Sequence, residues 1–205
     1  MSTRPILYVF RHGQTDWNKE GRIQGHLDIP LNDEGRAQAR RLIPVLQRLE
    51  VEGFLSSDLS RARETAEIPA TQLGLDVAVA AGLREIFLGG VQGLTRQEIE
   101  GKYGTEFSDR LRSTPLSDAD VVTLGSESGD AVVQRAMAAI EDHLSVQPVA
   151  RLAICSHGGV VRRLVQRALP NGGFPPPITN GVVYPFEFRR EEGQLVLLEK
   201  LIWVP

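Results

Sequence analysis

The sequence predicts an α/β fold: a three-layer α/β/α arrangement with a mostly parallel central sheet, in a single domain over residues 1–205. Three observations carry this expectation. Apolar runs of strand length alternate with segments of helical periodicity, which calls for a sheet covered on both faces. Two of these runs, Ile6-Leu7-Tyr8-Val9-Phe10 and Leu152-Ala153-Ile154-Cys155, are apolar throughout, as strands buried on both faces are. No Pro/Ser-rich linker, charge block or internal repeat divides the 205 residues, and one unit of that length buries roughly 70–75% of its unfolded surface.

The elements follow in order. After the first strand comes a long polar loop, then a helix from the Asn32 cap to about Glu50. Leu42, Leu46 and Leu49 form its apolar stripe, and Pro44 is expected to kink it. A strand near Gly53-Leu55 leads into a helix with Arg61 at its amino end, and Val77-Ala80 makes a third strand. From Phe87 to about Gly125, glycines and Pro115 interrupt short helical pieces around Thr95–Tyr103 and Glu106–Leu111. Residues 87–125 therefore read as a small inserted cap over the site. A helix from Ser128 to Val146 presents Val133, Ala136, Ile140 and Leu144 on one face. The Leu152–Cys155 strand follows, then a helix carrying Val161, Leu164, Val165 and Ala168, and then the loop Asn171–Pro177. The last stretch, Val182–Phe188 and Leu195–Trp203 about Glu192-Gly193, reads as a hairpin, with Pro185 suggesting an edge or a bulge.

Bulk properties narrow the class. A formal net charge of −3 gives no electrostatic reason to expect a nucleic-acid partner. Cys155 is the only cysteine, so an intrachain disulfide is impossible and a reducing compartment is expected. Although Cys155 stands near His157, it ends a buried apolar run, which favours a packed thiol over a nucleophile. Met1-Ser2-Thr3-Arg4-Pro5 runs straight into the first strand without the pattern of a secretory leader, and no segment approaches the length of a membrane helix. The expectation is a soluble, cytoplasmic protein without a membrane partner.

Chemistry concentrates at the carboxyl ends of strands, where α/β folds present reactive groups. Arg11-His12-Gly13-Gln14-Thr15 follows the first strand and Ser156-His157-Gly158-Gly159 follows the later one, so the two histidines can converge if both strands share a parallel sheet. A strand-end histidine alone is more often a hydrogen-bonded boundary residue. The third segment, Ser56 to Ala66, puts Arg61 at a helix start, where amide groups and the helix dipole favour phosphate. Taken alone, Arg61 is equally a solvated surface residue. Two arginine forks suit bidentate phosphate contacts, with His157 and Asn18 as further donors. No Asp-rich magnesium cluster or His-Glu-x-x-His zinc motif is present, and neither metal nor cofactor is expected.

These segments together resemble the histidine phosphatase superfamily, the phosphoglycerate mutase-like family. The first block is Arg11-His12-Gly13 with Thr15-Asp16-Trp17-Asn18 and Arg22-Ile23-Gln24-Gly25. Leu31–Ala39, Ser57–Ala66, Leu83-Arg84-Glu85 and Ser156–Gly159 follow in family order. The resemblance implies a phosphoglycerate mutase-like fold, with His12 as nucleophile forming a phosphohistidine and Glu85 as general acid and base. Read from composition alone, Glu85 is a surface loop residue. Arg11, Arg61 and His157 complete the implied catalytic set, and Asn18, Gln24, Gly25, His26 and Gly158 are the implied substrate contacts. His26 is equally a solvated loop residue, and His143 is accounted for by the dipole of its own helix.

The stretch after Glu85 is short for a glycolytic mutase, which points to the small phosphatases of the family, acting on small phosphate esters. A mutase of phosphoglycerate type is the alternative reading, and a non-catalytic phosphometabolite-binding protein the third. Val91-Gln92-Gly93 stands where many relatives carry Trp-Glu-Gly or Trp-Gln-Gly, a change expected to loosen the packing behind Glu85 or to enlarge the pocket. The cap cations Arg84, Arg96, Lys102, Arg110 and Arg112 are candidates for a second acidic group on the substrate, or plain solvated charges. A small-molecule phosphate ester is the expected partner, with homodimer formation left open.

Overall fold

The computed structural model describes residues 4–113, 117–169, 178–198 and 202–203. Its strands are β1 (Ile6–Arg11), β2 (Gly53–Ser56), β3 (Val77–Val79), β4 (Arg151–Ser156), β5 (Val182–Arg189), β6 (Gln194–Leu197) and β7 (Ile202–Trp203). The helices are α1 (Asp16–Glu20), α2 (Asp33–Arg48), α3 (Ser60–Leu73), α4 (Arg96–Tyr103), α5 (Thr105–Ser113), α6 (Asp118–Leu124), α7 (Gly129–Val146) and α8 (Gly158–Ala168). Strand order is β3-β2-β4-β1-β5-β6, with β7 also on β5. The four strands β3, β2, β4 and β1 are parallel, and β5, β6 and β7 add antiparallel pairs at one side. The mostly parallel α/β sheet with helices around it is therefore the architecture of the chain.

Side-chain alternation along the central strands divides the core. Leu152 and Ile154 point into a cluster with Leu7, Val9 and the inner faces of α7 and α8. Ala153 and Cys155 point to the other face, with Phe10, Phe54 and residues of α2 and α3. Both faces are dry, which is why β1 and β4 are apolar from Ile6 to Phe10 and from Leu152 to Cys155. A third, smaller cluster of Val91, Ile99, Phe107 and Leu124 lies among α4, α5 and α6. The region from 87 to 125 thus has an apolar centre of its own.

Several sequence expectations shift at this level. The polar loop after β1 contains α1, and the stretch before residue 125 contains α6. Both are too short to show a period, yet each has a capping box, Thr15 with Asn18 and Ser117 with Asp120. Pro44 lies inside α2 as expected. On α7 the buried row is Val132, Ala136, Ile140 and Leu144, and Val133 is only partly covered, so packing against the sheet and not periodicity selects between the two adjacent valines. The hairpin exists, but β5 is not an edge strand, since β1 pairs with one side of it and β6 and β7 with the other. Pro185 is tolerated because its carbonyl faces outward, accepting from Leu198 N–H at 2.9 Å, where pairing passes from β6 to β7. The loop Asn171–Pro177 and Pro115 lie outside the described residues, as does part of the hairpin's last strand.

Candidate active site

Parallel pairing in register brings the two motifs together. Phe10 lies beside Cys155 and Arg11 beside Ser156, while Ser56 of β2 lies on the other side of Cys155. The next residues, His12 and His157, leave the sheet side by side, with ring centroids 5.0 Å apart and edge to face. His12 N–H donates to Ser156 O at 2.9 Å, which extends the ladder to the base of the site. His157 caps α8, and β2 delivers α3, so two helix starts face the same point.

His12 is buried, and its Nδ1 lies 2.6 Å from Gly13 O. A carbonyl can only accept, so Nδ1 carries the proton and Nε2 keeps its lone pair. Burial holds the His12 pKa well below its ordinary value, and the charges of Arg11 and then Arg61 push in the same direction. His157 is likewise held low, by burial first and then by His12, Arg61 and Arg11. Both imidazoles are neutral at pH 7.

Arg61 is fully buried, which excludes the solvated-surface reading. Its Nη1 donates to Leu27 O and its Nη2 to Gly25 O, each at 2.8 Å. Arg11 Nη1 donates to Ile178 O at 3.2 Å. Neither guanidinium takes a carboxylate partner within this set of bonds. Arg11 Nε, Arg61 Nε and both ring nitrogens of His157 are buried without a partner among the described residues. A buried polar group left so costs about 1–3 kcal/mol, and unpartnered donors on side chains whose charges act on one another, as those of Arg11 and Arg61 act on His157, suit an anion. Thr65 locks the parts together: its Oγ1 accepts from Gly13 N–H at 3.0 Å and donates to Arg61 O at 2.6 Å. Asn180 Nδ2 donates to His12 O from the loop before β5.

Glu85 reaches the same cluster. Its Oε1 accepts from Ile86 N–H at 2.9 Å, and its carboxylate takes Gly159 N–H at 3.1 and 3.2 Å. A Cβ on Gly159 would sit 2.4 Å from Glu85 Oε1, so the second glycine of the pair is the one this contact requires. Gly158, singled out in the sequence, instead lies against the Arg11 guanidinium at ordinary contact distance. Arg11 and Arg61 both feel the Glu85 charge, which raises their pKa values against the lowering by burial.

The remaining candidates divide. Asn18 uses its side-chain oxygen to accept from Thr15 N–H at 3.2 Å, capping α1. Gln24 is buried with Oε1 unpartnered among the described residues. Gly25, at φ 55°, supports Arg61 through its carbonyl, and a side chain there would strike Gln92. His26 Nε2 donates to Glu85 O at 2.7 Å, so it is tied to the loop of Glu85. Cys155 is fully buried and its thiol is pushed up by burial, as a packed residue requires. His143 stands in the last turn of α7, and partial burial holds its pKa down.

In the stretch after Glu85, Val91 is fully buried in the small apolar cluster, and Gln92 Oε1 accepts from His26 N–H at 2.8 Å. The site of the missing tryptophan is thus packed, and it is wired to the first block. Arg84 pairs bidentately with Asp58, Arg96 with Glu100 and Asp109, and Arg110 with Asp120. Lys102 lies over the Tyr103 ring, while the Arg112 side chain lies outside the described set.

Sequence reasoning missed Thr65, Gly159, Asn180 and Arg135. Thr65 was within reach, one turn after Arg61 on the same helix face. Arg135 carries no local signal at all. No described helix is long and apolar enough to cross a membrane.

A mostly parallel sheet with Arg11, His12 and His157 at its strand ends and the buried Arg61 in the first turn of the helix after β2 defines the class of phosphate-handling α/β enzymes. The chain belongs to the histidine phosphatase superfamily (branch 1), whose family model matches residues 7–200. It is 40% identical over 182 residues to phosphoglycerate mutase-like protein 4 of Arabidopsis thaliana, covering 88% of this chain and 78% of that one. A probable phosphoglycerate mutase GpmB of Salmonella paratyphi A is 34% identical over 163 residues, 80% of this chain and 74% of its own. Among solved structures, Bacillus stearothermophilus YhfR superposes with a TM-score of 0.79 at 30% identity, covering 94% and 95% of the two chains. A mycobacterial glucosyl-3-phosphoglycerate phosphatase complexed with VO3 gives 0.77 at 27% identity, covering 98% and 99%.

Proposed function

We propose that this protein is a metal-independent phosphatase that hydrolyses small phosphate monoesters through a phosphohistidine on His12. The observation that carries the reading is a neutral, tautomer-locked imidazole beside two guanidinium groups whose buried Nε–H donors have no partner among the described residues. Phosphate monoesters repel nucleophiles, so catalysis rests on neutralising phosphoryl charge and holding phosphorus at attack distance. Arg11, Arg61 and His157 bind the phosphoryl oxygens, with Asn18 as a neutral donor. Gln24, Gly25, His26 and Gly158 shape the surroundings.

His12 Nε2 attacks phosphorus while the ester P–O bond breaks, and the carboxyl group of Glu85 gives its proton to the leaving oxygen. Water then attacks the phosphohistidine, passing a proton to the Glu85 carboxylate. The P–N bond breaks, inorganic phosphate leaves, and His12 is neutral again.

The names of the curated relatives favour a second reading, phosphoryl transfer of the phosphoglycerate mutase type. It shares every step as far as the phosphohistidine and differs in the acceptor. The test is release of inorganic phosphate from a chromogenic aryl phosphate in chelator, by wild type and by His12→Ala. Release by the wild type alone is expected. Equal release by both overturns the nucleophile, and movement of phosphate between carbons of a phosphoglycerate without release favours the mutase.

A further inference from the structure

Glu85 lies on a segment with little regular structure, between a 3₁₀ turn at Ala81–Leu83 and another at Gly89–Val91. Buried peptide groups there need partners that no ladder supplies. They find them on one side chain of the helix packed against the segment, α7. Arg135 of α7 donates through Nη1 to Gly82 O at 2.6 Å and to Arg84 O at 2.7 Å, and through Nη2 to Glu85 O at 2.9 Å. Glu127 holds that guanidinium in turn, accepting from Nε at 2.8 Å and from Nη2 at 3.0 Å. The same carboxylate accepts from Phe87 N–H at 2.7 Å, and Phe87 O takes Glu127 N–H and the Ser126 hydroxyl at 2.9 and 2.8 Å. His26 supplies a second donor to Glu85 O. Gly82 lies so close to α7 that a Cβ there would come within 2.6 Å of Arg135 O.

We propose that Arg135, oriented by Glu127, is a positioning residue for Glu85. It fixes the main chain on either side of the acid so that the carboxyl stays at the start of α8, facing His12 and the two arginines. The planar fork matters, because three carbonyls lie in reach of its donors and a lysine ammonium cannot meet all of them in that geometry. Glu127 neutralises the guanidinium, so the support adds no unpaired cation beside His157. The proposal rests on the reading of Glu85 as proton donor, and its consequence is specific. Loosening the segment should cost most where the leaving group most needs a proton.

The experiment compares kcat/KM, which reports the step in which the leaving group departs, for aryl phosphates graded in leaving-group basicity, using wild type, Glu85→Gln, Arg135→Lys, Arg135→Ala and Glu127→Gln. A misplacement of about 1 Å costs on the order of 100-fold. Arg135→Ala and Glu127→Gln should therefore lose about 10- to 100-fold on the most basic leaving groups and little on the most activated ester, with Arg135→Lys between. In the Glu85→Gln background the Arg135 substitution should add no further leaving-group sensitivity, because no acid remains to be positioned. Should Arg135→Ala fail to fold, Arg135→Lys and Glu127→Gln decide. Uniform losses across the series in these variants, with a graded loss in Glu85→Gln, overturn the positioning role alone. An ungraded Glu85→Gln series overturns the acid reading and the positioning role with it.

Discussion

Arg61 and Arg96 each stand in the first turn of a helix, one beside the two histidines and the other in the 87–125 stretch. Arg61 is fully buried, and among the described residues its guanidinium is bonded to the carbonyls of Leu27 and Gly25. Arg96 is half exposed, with Glu100 on one side and Asp109 on the other. The carbonyl partners of Arg61 orient the guanidinium without cancelling its charge, and burial in low dielectric magnifies what remains. The carboxylates around Arg96 neutralise it in place, and water screens the rest. Identical side chains therefore play opposite parts. The same contrast separates Arg11 from Arg84 and Arg110.

Substitutions can break this comparison at graded strength. His12→Ala, which removes the proposed nucleophile beside Arg11 and Arg61, should lower kcat by about a thousandfold or more. Phosphate release from an aryl ester, with folding checked by circular dichroism, measures it. Glu85→Gln should cost about 100- to 10,000-fold on alkyl esters and much less on activated aryl esters; a matched pair of substrates suffices. Arg61→Lys keeps the charge but loses the fork, and a fall in kcat/KM of about 100-fold is expected. The matching change in the cap, Arg96→Ala, should alter kcat/KM by less than about threefold and stability by less than about 1 kcal/mol. A large effect on turnover there would revive a substrate role for the cap cations.

Between these extremes lies a pH effect. The folded-state pKa values of His12 and His157 fall below the ordinary 6.5, chiefly through burial. As pH drops through that value the unfolded chain binds protons that the native state refuses, so native stability is lost on acidification and is unaffected by these groups well above it. Each histidine contributes a slope of up to about 1.4 kcal/mol per pH unit. Urea titrations below pH 6.5 should record it, and His157→Gln should reduce the slope by about half.

Much of this was legible early. The apolar runs before Arg11 and His157 announce strands buried on both faces, and α2, α3, α7 and α8 follow from apolar spacing and caps such as Asn32 and Ser128. Helices α1 and α6 escaped, because five to seven residues make less than two turns and show no periodicity. Only their capping boxes were readable. The Val133 face was misjudged by one position, an error that spacing alone could not resolve in a helix with two adjacent valines. Pro185 misled for a similar reason: local chemistry forbids one hydrogen bond, whereas the sheet decides on which side that bond would have been needed.

The sequence by itself determined which side chains follow each strand, which of them could donate to an anion, and that Cys155 belongs to an apolar run. Local order and composition suffice for these, because they depend on neighbours within a few residues. Only the tertiary structure decided that Arg11 lies in register with Ser156, so that two histidines leave the sheet together. It also decided that Arg61 is buried rather than solvated, and that Arg135 reaches back across 50 residues to the carbonyl of Glu85. Those outcomes depend on non-local pairing and on where water is excluded, and neither leaves a trace in any short stretch of chain.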